Sequence, residues 1–457
     1  MRKVVMKFGG TSVADAAAIT QTISIVRRAV ESDAAPVVVV SAMSKVTDRL
    51  LAMADAASSG RTDVVRDGLD ELSRRHGDAA LRLVGASAAP VARDIERELT
   101  ELGAVLQAID VLRHADSRAL DRVAASGELL NSRLVAAALR AHGFEAAFVD
   151  ARSVLMTDAT YGQAAPLADA TKEAASEFVL PLLQSGRIPV IGGFVGRAPD
   201  GATTTLGRGG SDYSAALIGT AIDASEIQIW TDVDGMLTAD PRIVEEPRVV
   251  RQLSFGEASE LAYFGAKVLH PSTILPAVAH NIPVRILNSR RPEAEGTLIT
   301  SSPADDGRPV TAIACKRGVT VVDVTSTRML MAYGFLRRVF ETFEHYRTPV
   351  DVVTTSEVSV SVTVDDRRRV PEIVNALREF ADVSVEEEMA ILCVVGENLR
   401  RRSDTASRVI GALATFPLRM VSQAASRRNL TMVLADSAAP DAMKHLHDEL
   451  FETVAIR

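Results

Sequence analysis

Apolar residues fall along the chain in two rhythms. Short β-branched blocks, Val4-Val5-Met6, Val37-Val38-Val39-Val40 and Ile188-Pro189-Val190-Ile191, carry no polar alternation, the pattern of strands buried on both faces. Phe144 to Asp150 and Ile227 to Asp232 read as further strands. Between them the spacing is helical. An Ala-rich segment runs from about Asp15 to Val30, charged helices run from Asp48 to about Leu112 with Pro90 as the main break, and a helix is predicted over Asp212 to Ile218 with Ser211 or Asp212 as its N-cap. Strand and helix in alternation predict an open, mostly parallel sheet with helices on both faces.

The pattern changes near residue 300. Gly296 to Gly307 is rich in Gly, Ser, Pro and Asp and predicts a boundary. Beyond it come short strands, among them Thr311 to Cys315, Val319 to Val324, Val383 to Glu386 and Met389 to Val395, with helices such as Phe335 to Glu344 and Val370 to Phe380 between them. The order strand, helix, strand, strand, helix, strand occurs twice if Thr453 to Ile456 closes the second round, which predicts two small ferredoxin-like units.

Composition narrows the class. The chain has 457 residues, 47% hydrophobic and 24% charged, which suits a globular protein of two or three domains. A net charge of −8 argues against a nucleic-acid or acidic-membrane partner, and no apolar run has the length of a membrane span. A cytoplasmic location is expected. Cys315 and Cys393 sit in apolar runs without neighbouring ligands and read as buried thiols.

Candidate chemistry gathers in loops at strand ends. Thr203-Thr204-Thr205-Leu206-Gly207-Arg208-Gly209-Gly210-Ser211-Asp212 offers hydroxyls, flexible backbone and one fixed positive charge ahead of a helix, the makings of an anion site. Alone, such a loop equally suits a plain turn. A second glycine loop, Lys7-Phe8-Gly9-Gly10-Thr11-Ser12, follows the first strand; its lysine precedes the glycines, so it is not a P-loop, yet it suits a polyphosphate. Ser41 to Thr47 lies at another strand's C-terminal end, where open α/β sheets place ligands. Glu128 follows Gly127 and reads as an early helical residue favoured by the helix dipole. Thr231-Asp232-Val233-Asp234-Gly235 lacks the closing glutamate of a calcium loop and reads instead as carboxylates for Mg²⁺ or ribose, with Arg242 for phosphate; Asp240-Pro241 equally suits a turn. Lys267 and His270 by themselves read as surface and structural residues.

Four of these stretches, in order, resemble the aspartate kinase family: Lys7 to Ser12, Thr203 to Asp212, Trp230 to Gly235, and Phe264-Gly265-Ala266-Lys267-Val268-Leu269-His270-Pro271. The likeness runs through paired ACT domains to the C-terminus. It implies an amino-acid kinase fold over residues 1–298 and ACT domains over 299–386 and 387–457, with a strand at 309–315 able to pair with the last. The implied reaction is phosphorylation of the β-carboxylate of L-aspartate by ATP with Mg²⁺. An ionised carboxylate is already a nucleophile, so positioning and charge neutralisation suffice.

By this resemblance Lys7, Phe8, Gly9 and Gly10 face the phosphates and Asp212 orients Lys7 or the metal; no protein-built metal cluster is expected. Arg208 pairs with the substrate's α-carboxylate and Glu128 with its ammonium, while Ser41, Thr47, Gly209, Gly210 and Ser211 complete that site. Thr231, Asp232, Leu237, Arg242, Lys267 and Val268 hold the nucleotide, Leu237 standing where relatives often have tyrosine. The regulatory half resembles the lysine-sensitive branch, which implies an effector site from Met329, Ala332, Gly334, Asp351, Thr355, Ser356 and Glu357, with lysine as the favoured effector, in a homodimer or dimer of dimers formed through ACT domains. Met331 and Ala332 replace more polar residues of the lysine-regulated relatives. Two alternatives stand beside this reading. One is a kinase of another acidic amino acid, such as glutamate or N-acetylglutamate, against whose acetylated form Glu128 speaks; the other is an inactive amino-acid sensor, against which Lys7, Arg208 and Asp212 speak.

Overall fold

The computed structural model describes residues 2–265, 271–302, 308–326, 333–397, 399–401, 403–423 and 426–452. Its first half contains β1 (Arg2–Phe8), α1 (Ala16–Glu31), β2 (Ala34–Val40), α2 (Val46–Ser58), α3 (Thr62–Val84), α4 (Ala89–Leu112), α5 (Ser117–Ala141) and β3 (Ala146–Val149). There follow α6 (Ala168–Phe178), α7 (Leu180–Gln184), β4 (Ile188–Gly192), β5 (Val195–Arg197), β6 (Thr203–Thr205), α8 (Gly210–Ala221), β7 (Glu226–Thr231), β8 (Gln252–Ser254), α9 (Phe255–Tyr263), α10 (Leu275–Ala279), β9 (Val284–Asn288) and β10 (Thr297–Thr300). The C-terminal part adds β11 (Ala312–Thr325), α11 (Phe335–His345), β12 (Val353–Thr355), β13 (Ser359–Val364), α12 (Val370–Arg378), β14 (Asp382–Val395), α13 (Ser403–Ala412), β15 (Leu418–Ser422), β16 (Asn429–Ala435) and α14 (Ala439–His447).

The chain forms two compact units that interleave in sequence: residues 1–236, 251–255 and 268–303 make one, and 237–250, 256–267 and 304–457 the other. Two segments before residue 298 therefore cluster with the C-terminal unit. The cause is apolar burial and hydrogen bonding. Ala239 and Val244 are buried in the same core as Leu392, Met432 and Leu446, Thr238 bonds His447, and Glu260 of α9 accepts from Asn429.

The first unit is built on an eight-stranded sheet in the order β3-β4-β2-β1-β7-β9-β10-β8, parallel throughout except between β9 and β10. Val37 to Val40 are fully buried, as their unbroken β-branching predicts. β1 lies at the centre, with β2 on one side and β7 on the other, so successive crossovers leave in opposite directions and open a crevice at the C-terminal strand ends. Asp15 and Asp116 cap α1 and α5 by accepting from Ala18 N and Ala119 N. Capped at Asp116, α5 runs for 25 residues, nearly all of its second half buried.

In the second unit the pairs of strands expected at Thr311 to Val324 and Val383 to Val395 are each one long strand, β11 and β14. Both bend where register is lost, near Arg317 to Val321 and at Glu388, whose φ is +55°. The two ferredoxin-like halves accordingly share one antiparallel six-stranded sheet, β12-β13-β11-β14-β16-β15. Ala312 to Cys315 pair with Leu392 to Val395 over one core, and Thr320 to Thr325 pair with β13 over the other, beneath α11 and α12. The closing strand expected at Thr453 to Ile456 lies outside the described residues. Cys393 is buried and Cys315 partly so, and burial pushes both thiols up. No helix among the described residues is long and apolar enough to cross a membrane.

Asp121, on α5, organises a corner of the first unit. Its buried carboxylate accepts from Gly162 N, Thr205 N and Thr205 Oγ1, at 2.7 to 3.0 Å. Replacing it by alanine strands three donors, so Asp121→Ala is expected to lose about 3 kcal/mol or more in urea unfolding, and Asp121→Asn distinctly less.

Candidate active site

Lys7 is the penultimate residue of β1, beside the crevice. It is 8% exposed, and its Nζ lies 2.5 Å from Asp212 Oδ1 in the first turn of α8. The pair lines a cavity of about 280 Å³ together with Ser41, Thr47, Glu128, Gly209, Gly210 and Ser211. Four separate stretches of the sequence are thus brought to one place. Arg208 is exposed on the same loop and is not among the lining residues.

The walls close through small residues. A Cβ on Gly127 of α5 would stand 2.8 Å from that of Ala42, and one on Gly193 would stand 2.7 Å from Ser211 Cβ. Glycine at these points lets α5 approach the loop that carries Ser41, and the end of β4 approach the first turn of α8 that carries Ser211.

Several expectations change here. Glu128 is not near a helix start: α5 begins eleven residues earlier at Ser117, because Asp116 caps it, and Gly127 is an interior residue serving close packing. Glu128 is 4% exposed, and its Oε2 has no hydrogen-bond partner. Burial pushes its carboxyl up to about 8, against the pull of the Ala42 backbone and the Lys7 charge. Neither Ser211 nor Asp212 caps α8; Gly209 precedes it with φ +73°, and both lie inside the first turn. The Thr204 and Thr205 hydroxyls are spent on Thr157 and Asp121. Phe8 is a core residue stacked on Trp230, with ring centroids 6.0 Å apart, and the Gly9 amide donates to Trp230 O, so neither is free to meet a phosphate.

Two residues escaped the sequence. Asn131, one turn beyond Glu128, donates to Ser41 O at 2.7 Å. Phe194 lines the cavity with φ +66°, its amide donating to Ser214 Oγ at 2.8 Å. The strand-end glycines before Phe194 were the available signal; Asn131 had none.

The expected nucleotide residues divide between the two compact units. Thr231 ends β7, next to β1, and Asp232 follows it, with the Thr231 hydroxyl 3.3 Å from Asp232 Oδ1. Asp234 is engaged by Asn288 and Arg291. Leu237 and Arg242 belong to the second unit, where Leu237 bridges Val249 and Arg242 closes a turn on Asp240 at 2.5 Å. Lys267, Val268 and His270 lie outside the described residues, as do Met329, Met331 and Ala332. Gly334 precedes α11 with φ +85°, Asp351 is buried beside β12, and Thr355, Ser356 and Glu357 form the exposed turn into β13. Among the described residues no cluster of three or more His, Cys, Asp or Glu is arranged to hold a metal.

A parallel sheet with a lysine-carboxylate pair at its switch point matches a known class. Residues 2–288 match the amino acid kinase family and residues 392–450 an ACT domain. The chain is 39% identical over 466 residues to Aspartokinase 3, chloroplastic, of Arabidopsis thaliana, covering 98% of this chain and 82% of that protein. It is 36% identical to Lysine-sensitive aspartokinase 3 of Escherichia coli (strain K12), covering 98% and 99%. The crystal structure of E. coli aspartokinase III in complex with aspartate and ADP (R-state) superposes with TM-score 0.83 at 35% identity, covering 98% and 99% of the two chains. The complex of that enzyme with lysine and aspartate (T-state) gives TM-score 0.81. The chain is therefore an amino acid kinase carrying an ACT domain. Within that class it belongs to the aspartokinases.

The raised Glu128 carboxyl sets a pH signature. Its folded value, about 8, exceeds the unfolded 4.5, so the native state holds a proton that the unfolded chain releases. Native stability falls as pH rises from about 4.5 through 8. Thermal unfolding of Glu128→Gln should match the native chain near pH 5 and exceed it increasingly toward pH 9.

Proposed function

We propose that the cavity at Lys7 and Asp212 is where the β-carboxylate of L-aspartate receives the γ-phosphoryl group of ATP, giving 4-phospho-L-aspartate and ADP. The observation that carries the reading is Glu128: a buried carboxylate oxygen without a partner, in the same cavity as an ammonium-carboxylate pair. A substrate ammonium supplies the missing partner and a transferred phosphoryl group meets Lys7. The two binding demands lie in one cavity, as an amino-acid substrate with a reactive carboxylate requires.

In this reading Glu128 holds the substrate ammonium, Arg208 its α-carboxylate, and Ser41, Thr47 and Ser211 give further hydrogen bonds. Asn131 fixes the Ser41 carbonyl. Asp212 keeps Lys7 aimed into the cavity. The donor set fits a polyphosphate: Lys7 supplies charge, and the Ser211 and Asp212 amides, in the first turn of α8, have no carbonyl to bond within the helix. Thr231 and Asp232 are assigned to the nucleotide. Mg²⁺, when bound, neutralises phosphate charge, and Asp212 is the cavity carboxylate nearest to that role. Lysine is the effector assigned to Asp351, Thr355, Ser356 and Glu357, on the strength of the E. coli relative that bears that sensitivity in its name.

ADP release from MgATP is the direct test. Turnover should require L-aspartate, with L-glutamate a poor substitute, and Lys7→Ala should lower kcat by about a hundredfold or more with the fold intact. Equal turnover on glutamate would move the substrate assignment. For Glu128, KM for aspartate should fall as pH rises through about 8 and carboxylate replaces carboxylic acid; Glu128→Gln should raise KM and flatten that dependence. Asp351→Ala should displace the lysine inhibition curve to higher concentration, and an unmoved curve would remove the effector assignment.

A further inference from the structure

Asp351 is already occupied. Its backbone amide donates to Thr363 O at 2.9 Å and the next amide, of Val352, to Thr363 Oγ1 at 2.8 Å, which fixes the carboxylate against β13. The side chain is 4% exposed. Lys316 Nζ, from β11, lies 2.9 Å from each of its oxygens, and Tyr263 at the end of α9 donates its hydroxyl at 2.7 Å. The same ammonium meets the half-exposed Asp365 at 2.9 Å and stands 5.2 Å from the centre of the Tyr263 ring. A buried carboxylate, a second carboxylate and an aromatic face around one ammonium make up a binding site for an alkylammonium.

We propose that Lys316 is the resident cation of this site, a tethered stand-in for a free alkylammonium effector, so that an effector reaches Asp351 only by displacing it. The inference rests on the assignment of Asp351 to the effector. A lysine side chain and a free lysine end in the same group, –CH₂–NH₃⁺, so the contest is between like ligands. The tethered one has the advantage of high effective concentration. The displaced ammonium keeps Asp365 as a partner, since that carboxylate is 46% exposed and already 2.9 Å from it. Burial draws the Lys316 ammonium down, and its bonds to Asp365 and Asp351 more than restore it, so the resident stays charged at neutral pH. Lys316 thereby sets the threshold concentration for regulation, and only a ligand with a cationic end gains by replacing it.

The test is calorimetric binding of L-lysine to the full chain, with L-norleucine, which lacks the ε-ammonium, as control. Lys316→Met keeps the apolar stem and removes the competitor. It should bind L-lysine roughly five- to tenfold more tightly than the native chain, with norleucine unaffected. Unchanged or weaker lysine binding would overturn the proposal. If that variant does not fold, Lys316→Arg serves: its guanidinium holds Asp351 in two places and should weaken lysine binding, and tighter binding would overturn the proposal. Asp351→Asn separates the two readings. Loss of binding there with no gain in Lys316→Met sinks the resident cation alone, whereas full binding in Asp351→Asn removes the effector assignment and this inference with it. Should the native chain bind no lysine, binding gained by Lys316→Met supports the proposal and binding by neither refutes it.

Discussion

The ion pair between Lys7 and Asp212 is the contact on which the catalytic unit depends. It joins the C-terminal end of the central strand to the first turn of α8, and both partners are largely withdrawn from water. Desolvating two charges costs about what their attraction returns, so such a pair is poor evidence for stability. Its value is positional. It demands that β1 sit at the centre of the sheet, where crossovers diverge, and that α8 start at Gly210 so that Asp212 faces inward. The remaining walls are fitted around this point by α5, by the loop after β2 and by the end of β4.

Glu128 shows the opposite bias. A carboxylate buried this deeply favours its neutral form despite the nearby Lys7 charge and Ala42 backbone, and the fold tolerates it because α5 is otherwise a deeply buried helix with apolar area to spare. In the proposed reading this unsatisfied acceptor is the one a substrate ammonium would meet, so stability would be given up where binding is needed.

The second unit applies the same chemistry in reverse. Asp351 is also a buried carboxylate, but the chain furnishes its own ammonium and a phenol. One acidic group has an oxygen without a partner; the other is filled. The segment 237–250 and most of α9 pack with this unit, so residues the resemblance assigns to the nucleotide share a compact body with residues it assigns to the effector.

Much was legible in the chain alone. Unbroken valine runs determine buried parallel strands whatever surrounds them, and Lys7, Ser41 and the Gly207 to Asp212 loop announce themselves because each lies next to a strand or helix end. Glu128 was legible only through family resemblance: its local setting suggests a helix start, and the long helix that buries it depends on a cap eleven residues upstream of Gly127. Asn131 and Phe194 gave almost no signal, since a mid-helix asparagine acquires its role only when Ser41 is folded against it. The Thr204 and Thr205 hydroxyls misled for the same reason, their partners being supplied by Thr157 and Asp121 at a distance. Sequence by itself determined the alternating architecture and the residue types of the site, because these follow from local periodicity and strand-end chemistry. Only tertiary structure decided which carboxylate stays unpaired, which is already paired, and to which compact unit residues 237–250 belong, because desolvation and pairing are set by neighbours distant in the chain.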